Sequence, residues 1–165
     1  MTCVLLSIDP GAKSGACVLV PLNHSLVFHR VIRTAAQRRS CIEDAQRISC
    51  IHNLPLVACG EAWGVGGKWT PKQMIGLGAQ WGRWEEALEL AGVERVMRMQ
   101  VHEWRGAIFG RGKRRKREAW KRMAVAWASA RYGVTMTDDE AEAVCMGHAA
   151  LDSAALKKLL KGVTR

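Results

Sequence analysis

Near its start the chain runs Val4-Leu5-Leu6-Ser7-Ile8 and then breaks on Asp9-Pro10-Gly11. A short apolar run of this kind is a buried strand, and Pro-Gly forces a turn directly behind it. Asp9 is thereby pinned at a strand end beside the core, where an isolated ionised carboxylate is costly. An Asp that only caps the turn would satisfy the pattern, and so would a carboxylate that holds a divalent cation. The two differ in whether other acids converge on Asp9.

The remaining apolar runs set the fold class. Residues 3–8, 15–20 and 26–32 are three strands separated by turn signals, Asp9-Pro10-Gly11 and Pro21-Leu22-Asn23, which predicts an antiparallel meander. Arg33 to Arg39 reads as a basic connection, with Ser40 as the N-cap of a helix over Cys41–Ile51. Leu54 to Cys59 is a second buried strand, again ending on an acid, Glu61. A helix begins at Thr70-Pro71, with Thr at the cap and Pro in the first turn, and runs to about Ala91. Trp81 and Trp84, three apart, face its core side. Val93 to Met99 is a fifth strand, and helices follow over Glu118–Tyr132 and from Thr137 onward. Asp152 to Arg165 is expected to be a partly helical, solvated tail. The expectation is one α/β domain over residues 1–165, a five-stranded mixed sheet flanked by helices, with three antiparallel strands and then parallel ones.

Charge narrows the partner. Twenty-five Lys and Arg against fifteen Asp and Glu give a net charge of +10, which in a small domain points to a polyanion. No run approaches the ~20 apolar residues of a membrane span, the N-terminus has no signal-peptide layout, and no basic amphipathic helix favours a membrane surface. Nucleic acid in the cytoplasm or nucleoid is the expected partner. The six cysteines, Cys3, Cys17, Cys41, Cys50, Cys59 and Cys145, form no CxxC pair and sit among apolar neighbours, as reduced core residues do. The run Lys113-Arg114-Arg115-Lys116-Arg117 stands just before a helix, where cations oppose the macrodipole but suit bound phosphates. The loop Ala62-Trp63-Gly64-Val65-Gly66-Gly67-Lys68-Trp69-Thr70 is glycine-rich without P-loop or GxGxxG spacing. The loop carries Trp63 and Trp69, two of seven tryptophans in a chain with one Tyr and two Phe, and indole rings are good base-stacking platforms.

The acids carry the chemistry. Asp9 and Glu61 follow neighbouring strands, and strands ending at one edge would set them side by side. In Asp138-Asp139-Glu140-Ala141-Glu142, Asp139 and Glu142 are three apart and share a helix face, while Glu140 points elsewhere. Acids in a first turn ordinarily complement the helix dipole, but this many exceed capping needs. An all-oxygen donor set suits Mg²⁺ or Mn²⁺ rather than zinc. Two such ions ~4 Å apart would serve an in-line phosphodiester displacement, with a nearby Lys or Arg stabilising the pentavalent charge.

Taken in order, Ile8-Asp9-Pro10-Gly11, Glu61, Gly110-x-Gly112-x-x-x-Lys116 and Asp139-Glu140-Ala141-Glu142-Ala143 resemble the motifs of the RuvC family of Holliday junction resolvases. That family belongs to the RNase H-like superfamily, and the resemblance spans Ile8 to about Ala150. It implies an RNase H-like fold and a homodimeric, Mg²⁺-dependent crossover junction endodeoxyribonuclease. Such an enzyme nicks two opposing strands of branched DNA and leaves 5′-phosphate and 3′-hydroxyl ends. The family's metal-binding acids map onto Asp9, Glu61, Asp139 and Glu142, and its assisting cations onto Lys116 and Arg105. A family aromatic that stacks at the opened junction centre maps to Trp63 or Trp69. The implied DNA contacts are Trp63, Lys68, Trp69, Arg105, Lys113, Arg114, Arg115, Lys116 and Arg117. Glu142 stands where Asp is usual, which lengthens its reach, and Asp138 is an adjacent substitute.

Two alternatives share the acids or the fold. One is another RNase H-like nuclease acting on other branched DNA or on RNA–DNA hybrids; the other is a non-catalytic branched-DNA-binding protein. An actin-like ATPase, whose phosphate loop also begins strand–Asp–x–Gly, needs a second lobe that 165 residues do not provide.

Overall fold

Side-chain alternation along the opening strands gives the sheet two buried faces, and the helices divide between them. A computed structural model describes residues 2–11, 13–20, 25–62, 70–110 and 115–161. β1 (Val4–Asp9), β2 (Ser14–Val20) and β3 (Ser25–Ile32) form the expected antiparallel meander. β4 (Leu56–Ala62) adds parallel to β1, and β5 (Val96–Gln100) adds parallel to β4. The sheet order is β3-β2-β1-β4-β5. Glu61 is the penultimate residue of β4, at the strand end where the sequence puts it.

Helices α1 (Ala35–His52) and α2 (Pro71–Leu90) cover one face. There Val4, Leu6, Ile8, Ala16 and Val18 pack with Cys41, Ile42, Ala45, Trp81, Trp84 and Leu88. α3 (Val101–Phe109), α4 (Arg117–Tyr132), α5 (Asp138–Asp152) and α6 (Ala154–Lys161) belong to the other side. α5 lies on that face, where Leu5, Cys17, Leu19, Val57 and Cys59 meet Ala141, Val144 and Cys145. Burying each Val, Leu or Ile side chain contributes roughly 1.5–3 kcal/mol, so these two clusters dominate the stability of the sheet.

Several expected boundaries shift. α1 starts at Thr34 and not at Ser40, because Thr34-Ala-Ala-Gln37 is itself a capping box: Gln37 N–H donates to Thr34 Oγ1 at 3.1 Å, and Gln37 Oε1 accepts from the Thr34 backbone at 3.2 Å. The stretch read as a basic connection is the first turn and a half of that helix. No element is assigned from the sequence over residues 101–109, yet Gln100 N–H donates to Glu103 Oε2 at 2.9 Å and a helix starts there. The fifth strand begins three residues later than expected, since Gly92 at φ 71 and the Val93 N–H to Leu88 carbonyl bond first close α2. The tail is not simply solvated: α6 buries Leu156 and Leu160 against the α5 side of the core.

Cys3, Cys17, Cys41, Cys59 and Cys145 are buried and unbridged, and burial pushes the Cys59 thiol up to about 12. Cys50 is exposed. Among the described residues no helix is long and apolar enough to cross a membrane.

Candidate active site

Register and pleat bring Asp9 and Glu61 together. Ile8 pairs with Gly60 across the parallel β1–β4 ladder, so the next residues, Asp9 and Glu61, are level. Odd positions of β1 and β4 face α5, as Leu5, Val57 and Cys59 do, and the two carboxylates share that face. α5 is drawn against the same edge by two features. Ser7 Oγ donates to the Ala143 carbonyl at 2.7 Å. Gly15, which pairs with Asp9, has no side chain, and a Cβ there would overlap the Asp139 carbonyl. The first turn of α5 thus rests directly beside the end of β1.

Electrostatics record the resulting crowding. Burial pushes the Asp9 carboxyl well above the usual range, and the charges of Glu61, Glu142 and Asp139 push it further. Glu61 is raised to about 7, by burial and then by Glu142. Asp9 thus feels the charge of the other three acids singled out in the sequence, and Glu61 feels that of Glu142.

Cations line the far wall of the site. Arg105 on α3 donates to Glu142 Oε1 at 2.9 Å, and its guanidinium lies 5.0 Å from the Trp104 ring centre and 5.3 Å from that of Trp120. Lys121 on α4 donates to Asp138 and stands 3.5 Å from Asp139. Burial opposes the Lys121 charge, but Asp138, Asp139 and Glu142 outweigh it and raise its pKa. The same bond from Lys121 lowers Asp138. Arg117 favours the charged form of Glu61.

Glu140 serves the scaffold. It completes the α5 capping box, accepting from Thr137 N–H at 2.8 Å and Thr137 Oγ1 at 2.7 Å, and it meets His29 Nδ1 at 2.9 Å. Burial works against its charge, but these bonds prevail and lower its pKa. The start of α5 is thereby tied to β3.

The donor set suits a hard cation: carboxylates only, mutually repelling, at a strand edge. Among the described residues no three acids, histidines or cysteines stand close enough to form a ready coordination shell. Glu142 and Asp139 are instead held by Arg105 and Lys121. Arg105 Nε and Trp104 Nε1 are buried with no hydrogen-bond partner among the described residues. The Trp104 N–H favours the charged form of Glu61 but falls outside hydrogen-bond geometry.

Of the expected residues, Asp9, Glu61, Asp139, Glu142 and Arg105 come together here. Lys116 is the exposed N-cap residue of α4, with no ion pair among the described residues. Arg115 lies 5.8 Å from the Trp120 ring centre. Trp63, Lys68, Trp69, Lys113 and Arg114 lie outside the described residues. Sequence reasoning missed Lys121, Trp104, Trp120 and His29. Lys121 follows Arg117 by one helical turn, a spacing that sets two cations on one face and would have flagged it.

No protein-family model matches the chain, and no curated protein matches it in sequence. Among solved structures, T. thermophilus RuvC in complex with Holliday junction substrate is similar at 16% identity and a TM-score of 0.64, with 96% of each chain covered. A second Thermus thermophilus RuvC structure is similar at 18% identity and a TM-score of 0.60, covering 93% of this chain and 96% of that one. The chain has the RNase H-like fold of RuvC.

Proposed function

We propose that this chain, a single nuclease domain over residues 1–165, is a metal-dependent endodeoxyribonuclease that resolves four-way DNA junctions by paired symmetric nicks, leaving 5′-phosphate and 3′-hydroxyl ends. The observation that carries the proposal is the convergence of Glu61, Asp139 and Glu142 on Asp9 at one sheet edge, in a fold shared with a protein solved on a Holliday junction.

Asp9, Glu61, Asp139 and Glu142 are the residues that would hold Mg²⁺ or Mn²⁺, and such ions supply an activated water and a Lewis acid for the departing 3′ oxygen. The chain's own groups do the rest. Arg105, stacked between Trp104 and Trp120, is oriented toward the acids and is the cation best placed to meet charge building on the phosphorus. Its Nε is buried with no hydrogen-bond partner among the described residues. Lys121 offsets the repulsion between Asp138 and Asp139 at the start of α5. Lys116 and the basic segment before α4 hold the DNA backbone, where side-chain charge and free helix N–H groups act together.

A homodimer would match the two-fold symmetry of a four-way junction. In support, the first six residues of α2 are all exposed, including Met74 (54%) and Ile75 (72%), an apolar end that a second copy would cover. The expected setting is the nucleoid or a host cytoplasm.

The test is cleavage of a synthetic four-way junction beside linear duplex and an RNA–DNA hybrid, each with Mg²⁺ or EDTA. Paired nicks on the junction alone, lost in EDTA, are the expected result. Cleavage of the hybrid would transfer the chain to ribonuclease H chemistry. Tight junction binding without cleavage would make it a binding protein.

A further inference from the structure

A second cluster of cations lies on the other face of the sheet, away from the acids. α1 and α2 enclose a groove of about 500 Å³ whose lining includes Arg38, Arg39, Arg83, Glu43, Glu86 and Leu90. Arg38 is 8% exposed, and its Nε is buried with no hydrogen-bond partner among the described residues. No ion pair among the described residues reaches Arg38, Arg39 or Arg83. A guanidinium left in that condition is expensive, since each unmet charged donor keeps its desolvation cost.

Three features point to an anion. Burial and the neighbouring Arg83 both work against the Arg38 charge, and Glu86 offsets them only in part. Glu43 and Glu86 are exposed whereas Arg38 is buried, so the groove's buried donor without a partner among the described residues belongs to a cation. The first turn of α1 holds no acid, and Arg38 and Arg39 follow it directly, against the helix dipole. Phosphate reverses each of these penalties.

The groove also has a defined relation to the acids. β3 ends at the same sheet edge as β1, because Asp9 pairs with Gly15 and Gly15 with Val31. α1 starts just beyond that edge. Arg38 lies 5.3 Å from the Trp84 ring centre, Trp84 Nε1 donates to Ser14 Oγ at 3.1 Å, and Ser14 Oγ donates to the Gly11 carbonyl at 3.2 Å, in the turn behind Asp9.

We propose that the α1–α2 groove, through Arg38, Arg39 and Arg83, is a second phosphate-binding site that takes a backbone phosphate of a DNA arm passing over the catalytic edge. The choice of DNA as the source of the phosphate rests on the nuclease assignment; the phosphate site itself does not. Its position on α1 and the C-terminal half of α2 separates it from the exposed Met74–Ile75 end.

The test uses Arg39→Gln/Arg83→Gln, both exposed positions, with exposed Lys157→Gln/Lys158→Gln on α6 as a variant of equal charge. Thermal melting is compared in sodium phosphate and in sodium chloride of matched ionic strength. Phosphate should raise the Tm of the parent and of the α6 variant, and most of that gain should vanish in the groove variant. Binding to a four-way junction is then followed across a salt series in EDTA. The slope of log K against log salt should fall by about 1 in the groove variant and stay constant in the α6 variant. An equal phosphate response in groove variant and parent overturns the site, and an unchanged slope overturns DNA as its occupant. Should the parent bind no DNA while its phosphate response still depends on Arg39 and Arg83, the nuclease assignment fails and the phosphate site stands.

Discussion

Lys121 Nζ stands 3.5 Å from the Asp139 carboxylate while donating to Asp138, so one α4 ammonium holds two consecutive acids at the start of α5. Asp138, weighed as a substitute ligand, is engaged by that cation. Its neighbour Asp139, at 3.5 Å from the same ammonium, is the one whose charge acts on Asp9.

Replacing this cation should separate its two effects. Lys121→Met removes a charge-assisted hydrogen bond and should lower the stability of the metal-free protein by about 1–2 kcal/mol, measured by urea unfolding in EDTA. The same variant should bind Mg²⁺ or Mn²⁺ more tightly by calorimetry, because the acids lose a competing cation. Weaker metal binding would mean that Lys121 positions the acids rather than competing for them.

Asp9→Asn should abolish nicking of a four-way junction, by roughly 10³-fold or more given the several kcal/mol that metal-assisted hydrolysis supplies. Junction binding in EDTA should remain close to that of the parent. Persistent Mg²⁺-dependent cleavage by this variant would refute the metal assignment.

The raised carboxyl of Glu61 sets a pH dependence. With a folded pKa of about 7 against an ordinary 4.5, the native state binds this proton more tightly than the unfolded chain does. Metal-free stability is therefore highest below pH 4.5 as far as this group is concerned, and it falls as pH rises toward 7, by about 3 kcal/mol. Asp9, also raised, acts in the same direction. A bound divalent cation stabilises the ionised form, so the Tm gain from Mg²⁺ should be several-fold larger at about pH 8 than at about pH 5. An equal gain at both pH values would place the ion elsewhere.

Gly15→Ala tests how closely α5 must approach β2. Its methyl group would overlap the Asp139 backbone, which cannot yield without moving the helix start. The expected cost is about 1–3 kcal/mol in chemical denaturation, together with a large loss of nicking. Full activity in a destabilised protein would show that the acids tolerate displacement of α5.

Much of the architecture was legible because it depends on local pattern. Apolar runs of strand length and turn residues located five strands, and Thr70-Pro71 marked the start of α2. Asp9 and Glu61 stood out as acids at the ends of buried strands, where charge needs compensation. Asp139 and Glu142 followed from helical spacing. Capping boxes at Thr34 and Gln100 were equally local, yet the basic residues around the first, and the absence of a preceding loop at the second, obscured them.

What the tertiary structure decided is which of these groups meet. β-strand register, a property of pairing between distant segments, set Asp9 level with Glu61. The absence of a side chain at Gly15 let α5 close on that edge, a close approach that no local pattern encodes. Lys121, Trp104 and His29 belong to three other elements, and their spacing along the chain carries no sign of the cleft they share. Sequence alone determined the acids and their strand and helix positions, because burial and periodicity act over a few residues. Packing determined their counterions, because a charge is answered by whatever the fold brings within a few ångströms.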